Sequence, residues 1–330
     1  MNPLVSVVVT TYNQAVYIEQ TLESVLAQTF DSYEVIVVDD GSTDDTASRM
    51  ARFEGRIDYV RQNNMGVAGS RNTGIRRACG EFIAFLDGDD LWEPGKLAVQ
   101  VAEAKRHPDS GLIAVDGSQF DCNGIIESTL FFGSACSDLP EESVTTGNYY
   151  HQLLQNPFIY TTSQVMVPAK VLEVVGLSDC RFKRASDYDL YIRIAAKYDF
   201  TIIKKRLTRW RYLPTSASGP MMMRFFNYLL EDISILRCHL ARCSIFDRAL
   251  IRGIIERKLA DGVEHLYRYG IEKDRAFATR ALLKLFAEDM TSPVAGVFLV
   301  ALWCPGAVRD RLAPAVRRIL VAGNKLKVAW

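Results

Sequence analysis

The sequence predicts an α/β protein: an open, mostly parallel β-sheet covered by helices on both faces, with a C-terminal helical extension. Three observations predict it. Short β-branched runs alternate with segments of helical period over residues 4–115. Polar residues able to do chemistry recur at or just past the predicted strand ends. From about residue 220 the composition turns to long helical patterns rich in Leu, Ile, Phe and Arg.

Leu4 to Val9 is a short β-branched run, the signature of a buried strand. Ile18, Leu22, Val25 and Leu26 fall on one face of a helix. Glu34 to Val38 is a second strand, stopped by Asp39-Asp40-Gly41. Ser42 followed by Asp45 is a capping-box pattern that predicts a helix running to about Phe53. Ile57 to Val60 is a third strand, Asn72 to Cys79 a helix, and Glu81 to Leu86 a further buried strand. Pro94 is placed to start a helix ending near Arg106, and Leu112 to Val115 is strand again. Residues 117–163 are rich in Gly, Ser and Thr and predict loops and short strands over the site. Gln164 to Val167 follows as a strand, then a helix over Asp187 to Lys197. Phe200 to Lys204 and Leu207 to Tyr212 read as a strand pair. The predicted domains are 1–215 and 216–330.

With 48% apolar residues the chain can bury a sizeable core. Its 39 basic and 39 acidic residues cancel, so nothing points to nucleic acid as a partner. The 7 cysteines form no C-x-x-C pair, which argues against a zinc site or disulfide framework and for a reducing compartment. The opening MNPLVSVVV lacks a basic n-region and cleavage site, so a cytoplasmic location is expected.

In open parallel sheets, ligands bind outside the carboxyl ends of the strands. Thr10, Asp39, Asp40 and Asp87-Gly88-Asp89-Asp90 all lie there, so polar residues far apart in sequence converge on one rim. The 87–90 cluster follows the apolar FIAFL run and suits a hard cation such as Mg²⁺ or Mn²⁺; taken alone it is equally an acidic turn. Leu91 and Trp92 rule out an EF-hand calcium loop. Asp40 can accept an N–H from a base ring, Tyr12 can stack on a base, and Thr10 offers a hydroxyl. In Gly66-Val67-Ala68-Gly69-Ser70-Arg71, small residues allow close backbone approach and Arg71 can pair with phosphate or contact the base.

Four stretches in fixed order carry a resemblance: SVVVTTYNQAVYIEQTLESVLAQTF, EVIVVDDGSTDDT, NMGVAGSRNTGIRRACGEFIAFLDGDDLWEP and DYDLYIRIA. Together they resemble the family-2 inverting glycosyltransferases of the GT-A fold over about residues 4–212. The resemblance implies a nucleotide-binding half and a more variable acceptor half. It implies that Thr10, Tyr12, Asp40 and Arg71 lie at the nucleotide, that Asp87 lies near the ribose or sugar, and that Asp89 binds the metal, Mn²⁺ or Mg²⁺. Asp187 takes the position of the catalytic base. Two departures stand out: Ser186 replaces the usual acidic neighbour of that base, and Leu213 falls where many relatives carry a His.

The activity implied is inverting, metal-dependent transfer of a sugar from a nucleotide-sugar to a hydroxyl of a glycan or lipid-linked acceptor, in cell-surface polysaccharide synthesis. A uridine donor is expected from Asp40. A nucleotidyltransferase would want a glycine-rich loop where Thr11-Tyr12-Asn13-Gln14 stands, and a non-catalytic scaffold would not need the intact acidic set. Pro293 to Val308, followed by Arg309, Arg311, Arg317 and Arg318, pairs a greasy segment with basic residues. Residues 290–330 are accordingly expected to make peripheral contact with an anionic membrane, or to pack on the catalytic domain or in a homo-oligomer.

Overall fold

The computed structural model describes residues 3–131, 136–213, 221–273 and 275–288. The chain divides into two compact units, Met1–Pro214 and Thr215–Trp330.

The first unit begins β1 (Val5–Thr11), α1 (Ile18–Leu26), β2 (Tyr33–Asp39), α2 (Thr46–Arg49), β3 (Asp58–Arg61), α3 (Gly66–Arg77) and β4 (Phe82–Asp87). Next come β5 (Leu91–Trp92), α4 (Lys96–Arg106), β6 (Ser110–Asp121), β7 (Gly124–Glu127), β8 (Val144–Gly147) and α5 (Tyr150–Gln155). It closes with β9 (Val165–Pro168), α6 (Ala169–Val175), α7 (Ser186–Ala195) and β10 (Asp199–Arg211). These strands form one 10-stranded sheet in the order β3-β2-β1-β4-β9-β6-β10-β5, with β7 on β6 and β8 on β10. The β1, β2, β3 and β4 ladders are parallel, as is β6 with β10, while antiparallel β9 joins β4 to β6.

Successive strand residues point to opposite faces, and both faces of β1 are covered. Val5, Val7 and Val9 share a core with Ile18, Leu22 and Val25 of α1 and Leu97 of α4. Val8 points the other way, under α3. A Cβ on Gly74 would lie 2.2 Å from Val8 Cγ1, so only glycine lets α3 lie this close to the sheet.

Three expectations need correction. Ser42 does not cap a helix: α2 starts at Thr46, and Ser42 Oγ instead accepts the Asn13 N–H at 2.9 Å. That side chain is committed to stitching two loops together. The expected strand pair after residue 199 is one long strand, β10, because register shifts between Ile203 and Thr208 keep it running beside β6. The helix expected from Asn72 begins at Gly66. In addition, residues 117–163 include the unanticipated helix α5 besides the expected short strands.

A buried ion pair fixes the β6–β10 ladder. Lys204 Nζ lies 2.8 Å from Asp116 Oδ2, with side chains 3% and 0% exposed. Asp116 Oδ1 also accepts the N–H groups of Gly117 and Leu130, each at 2.7 Å, and Oδ2 accepts the Thr129 hydroxyl.

The second unit holds α8 (Met221–Leu240), α9 (Ile245–Glu272) and α10 (Arg275–Glu288). Leu229, Ile233 and Leu236 of α8 are buried, as are Ile251, Ile254 and Leu266 of α9 and Leu282 of α10. Lys258 and Asp232 pair across α8 and α9 at 2.8 Å. Among the described residues no helix is long and apolar enough to cross a membrane. The segment 290–330, expected to contact a membrane surface or to pack on the catalytic domain or in a homo-oligomer, lies outside the described residues.

Candidate active site

The carboxyl ends of β2, β1 and β4 lie side by side, with Thr10 in register with Val38 and Asp87. Just past them the chain is stitched across: Asp40 N donates to Thr11 O and Gly88 N to Thr10 O, both at 2.9 Å. Gly88 is boxed in there. A Cβ would sit 2.4 Å from Gln14 Oε1 and 2.9 Å from Thr11 Cβ, so the acidic turn needs glycine at its second place.

At the end of β1, between β2 and β4, Thr10 is buried while Tyr12 is 48% exposed. Asn13 takes the left-handed conformation (φ 53°) and accepts the Thr43 N–H at 2.8 Å, tying this loop to the one after β2. Asp40 has an unanticipated second task. Its Oδ1 accepts Gln62 Nε2 (2.7 Å) and Met65 N (2.9 Å), and its Oδ2 accepts Gly66 N (2.8 Å). The carboxylate therefore caps α3 from a distant strand end, where the helix dipole favours negative charge.

Arg71, in α3, is 6% exposed and reaches the end of β4. Its Nη2 donates to Asp87 Oδ1 at 2.9 Å and to Thr162 Oγ1 at 2.8 Å. Burial opposes its charge, but Asp87, Asp187 and Tyr191 more than offset this and raise its pKa.

The acidic residues divide by surroundings. Asp90 is fully enclosed: Ser163 Oγ (2.6 Å) and Thr161 Oγ1 (2.9 Å) donate to its Oδ2, and Arg211 N (3.0 Å) to its Oδ1. Burial, with Asp89 and Asp87 nearby, holds its pKa well above the usual carboxylate range. Asp87 is half-buried against Arg71 and the Thr161 and Thr162 hydroxyls. Asp89 is half-buried at the rim, and desolvation followed by the Asp87 charge pushes its carboxyl up to about 6.

The Thr161-Thr162-Ser163 turn was not singled out from sequence, yet it holds both Asp87 and Asp90. Gln164 anchors it, with Nε2 donating to Val115 O (3.0 Å) and Oε1 accepting Tyr160 N (3.0 Å). Three consecutive hydroxyl residues at the end of a loop-rich stretch were the available signal.

Asp187 arrives from α7. Asn72 of α3 pairs reciprocally with the Ser178 backbone, at 2.9 and 3.0 Å, drawing the segment before α7 towards α3. Asp189 and Arg193 pair at 2.9 Å, and Arg193 also donates to the carbonyls of Val175, Gly176 and Leu177. Asp189 thus anchors the helix. Asp187 is partly buried, and burial raises its pKa although Arg71 and the Tyr188 N–H, donated at 2.8 Å, pull the other way.

Arg211 closes the remaining side. Its Nε donates to Asp89 O at 2.8 Å and its Nη2 to Gln20 Oε1 at 3.0 Å, while its guanidinium lies 4.8 Å from the Tyr17 ring centre.

No group of three or more His, Cys, Asp or Glu side chains among the described residues is arranged as a metal cage. Asp90 is enclosed, which leaves Asp89, with Asp87 beside it, as the carboxylates that the 87–90 cluster presents at the rim. That set fits a hard cation held by one or two carboxylates and, for the rest, by substrate phosphates and water.

A family model described as Glycosyl transferase family 2 matches residues 6–176, more than half of the chain. The chain belongs to glycosyl transferase family 2. Its fold is the GT-A fold of these glycosyltransferases. The solved structure of S. aureus TarS 1-349 in complex with UDP-GlcNAc superposes with a TM-score of 0.61 at 18% identity, covering 99% of this chain and 89% of that one. An uncharacterized glycosyltransferase of Rickettsia conorii is 27% identical over 85% of this chain and 47% of its own length, so the chain spans about half of that relative. A putative teichuronic acid biosynthesis glycosyltransferase of Bacillus subtilis, TuaG, is 44% identical over 30% of this chain and 41% of its own.

In this family-2 glycosyltransferase the matched region contains Thr10, Tyr12, Asp40, Arg71, Asp87 and Asp89 and ends before Asp187. Arg71 and Asp87 are paired at 2.9 Å, and both charges act on the Asp187 carboxyl. Ser186, which departs from the family pattern, is fully buried and its hydroxyl has no hydrogen-bond partner among the described residues.

Proposed function

We propose that this chain catalyses inverting transfer of a sugar from a UDP-sugar to a hydroxyl of a glycan or lipid-linked acceptor, with a divalent cation, in cell-surface polysaccharide synthesis. The observation that supports this reading is the Arg71–Asp87 pair at the strand-end rim, whose two charges both act on Asp187, a carboxyl that burial pushes up. UDP and UDP-GlcNAc in the TarS structures and teichuronic acid biosynthesis in the name of TuaG support the donor and the setting.

The acceptor hydroxyl attacks the anomeric carbon as the bond from that carbon to the diphosphate oxygen breaks. Asp187 takes the hydroxyl proton, UDP departs with the bonding pair, and the anomeric configuration inverts. A raised pKa suits this task, since a base nearer neutrality is better matched to the proton it accepts. Arg71 keeps Asp87 fixed at the sugar side, and the exposed Tyr12 ring and Asp40 serve the nucleoside. A divalent cation, Mn²⁺ or Mg²⁺, supplies neutralisation of the diphosphate charge when bound; Asp89, with Asp87, would hold it.

The test is release of UDP from UDP-glucose, UDP-galactose and UDP-N-acetylglucosamine with Mn²⁺. No release from any donor would favour a binding scaffold, and release of pyrophosphate from a nucleoside triphosphate and a sugar phosphate would favour a nucleotidyltransferase. A pH dependence follows from Asp89. A cation binds the ionised carboxylate, which predominates above about 6 and is lost as pH falls through that value. Affinity for Mn²⁺ in the presence of UDP should therefore fall about tenfold per pH unit below 6. Calorimetric titration between about pH 7.5 and 5 measures this, and Asp89→Asn should flatten the profile.

A further inference from the structure

Lys96 opens α4 and is fully buried, yet among the described residues no carboxylate pairs with it. A buried amine with no counter-charge costs stability rather than adding to it, so its use lies in what it touches. Its Nζ donates to Gln100 Oε1 at 2.6 Å and lies 3.9 Å from the centre of the Trp92 ring. Those two side chains hold consecutive carbonyls of the Thr161–Gln164 turn. Trp92 Nε1 donates to Ser163 O at 2.8 Å, and Gln100 Nε2 donates to Gln164 O at 3.1 Å and to Ile113 O at 2.9 Å. With Oε1 on the lysine, both N–H groups of Gln100 face carbonyls, so its amide has one orientation.

The other side of the turn meets the acidic cluster. Ser163 Oγ accepts the Asp87 N–H at 3.1 Å and donates to Asp90 Oδ2 at 2.6 Å, gripping the chain on both sides of Asp89. The Thr161 and Thr162 hydroxyls hold the Asp87 carboxylate. We infer that Lys96 is a positioning residue: by seating Trp92 and Gln100 against this turn from behind, it fixes Asp87 and Asp89 where a cation and the sugar diphosphate would meet them. Lys96 itself touches no substrate. The inference rests on the sugar-transfer reading above. Groups that orient ligating carboxylates govern affinity and rate nearly as much as the ligands do.

Lys96→Met keeps an unbranched stem and removes the amine. UDP binding is measured by calorimetry in EDTA and across a Mn²⁺ series, beside thermal unfolding and turnover of UDP-glucose, UDP-galactose and UDP-N-acetylglucosamine. Expected are UDP affinity in EDTA within about twofold of wild type, a Mn²⁺ half-saturation raised about tenfold, and kcat lowered about tenfold. A lysine that serves stability alone would lower the melting temperature and leave the Mn²⁺ half-saturation of the folded protein unchanged; that result overturns the inference. If Lys96→Met does not fold, Trp92→Phe decides. It removes the indole N–H while Ser163 O keeps the Thr208 hydroxyl at 3.1 Å, and an unchanged Mn²⁺ half-saturation there overturns the inference. A wild type that binds UDP equally well in Mn²⁺ and in EDTA overturns it too. A wild type that binds UDP with Mn²⁺ but turns over no UDP-sugar overturns the transferase reading instead, and the calorimetry alone then decides for Lys96.

Discussion

Asp187→Ala is expected to lower the rate of sugar transfer by about 10²–10⁴-fold while leaving UDP-sugar affinity nearly unchanged. The magnitude is that of removing a positioned general base. The selectivity follows from place: Asp187 stands on α7, whereas the contacts expected for the nucleoside, from Tyr12 and Asp40, stand at the ends of β1 and β2. Asp187→Asn is the sharper companion, since its amide oxygen can still accept the Tyr188 N–H that Asp187 accepts at 2.8 Å. It preserves the helix start and removes only the basicity. The pH profile adds a second readout. Burial raises the Asp187 pKa, and transfer requires the ionised form, so the rate rises as pH climbs through that raised value. Both variants should lose this limb. Full turnover by Asp187→Ala would remove the residue from the mechanism.

Lys204→Met should be the most damaging single change to stability, at about 3–5 kcal/mol. The lysine and Asp116 are buried together at 2.8 Å, and taking away one partner strands the other's charge away from water. For a unit of this size the loss corresponds to a melting temperature lower by roughly 6–12 °C at the small end of that range. A compensating change separates charge from packing. Asp116→Asn retains an oxygen for the Gly117 and Leu130 amides but carries no charge, so the double variant should recover part of the loss. Thermal unfolding of the four proteins completes the cycle. Additive losses would mean that the pair contributes nothing as a pair.

The framework of the fold was readable because its signals are local. The run from Phe82 to Leu86 is apolar and stops at Asp87, and both strand and rim follow from that. The failures share a cause, which is that the deciding partner lies far along the chain. The start of α3 at Gly66 depends on Asp40, and no inspection of residues near 66 shows a cap. Ser42 matches a capping pattern but is claimed by Asn13. Thr161, Thr162 and Ser163 look like loop filler until the sheet places them against Asp87 and Asp90. The candidate site was legible wherever charge sits at a strand end, and illegible where uncharged hydroxyls complete it.

The letters Asp87-Gly88-Asp89-Asp90 suggest a concentration of negative charge that would repel a diphosphate on approach. The arrangement found is closer to neutral. Asp87 is met by Arg71 at 2.9 Å, and Asp90 sits where burial disfavours its ionised form. An arriving anion therefore encounters chiefly Asp89, which is largely ionised above its pKa of about 6. The repulsive barrier to encounter is that of roughly one carboxylate rather than three, and over the distance of a Debye length it is modest. A string of acids that reads as a deterrent to phosphate is, once folded, an open approach.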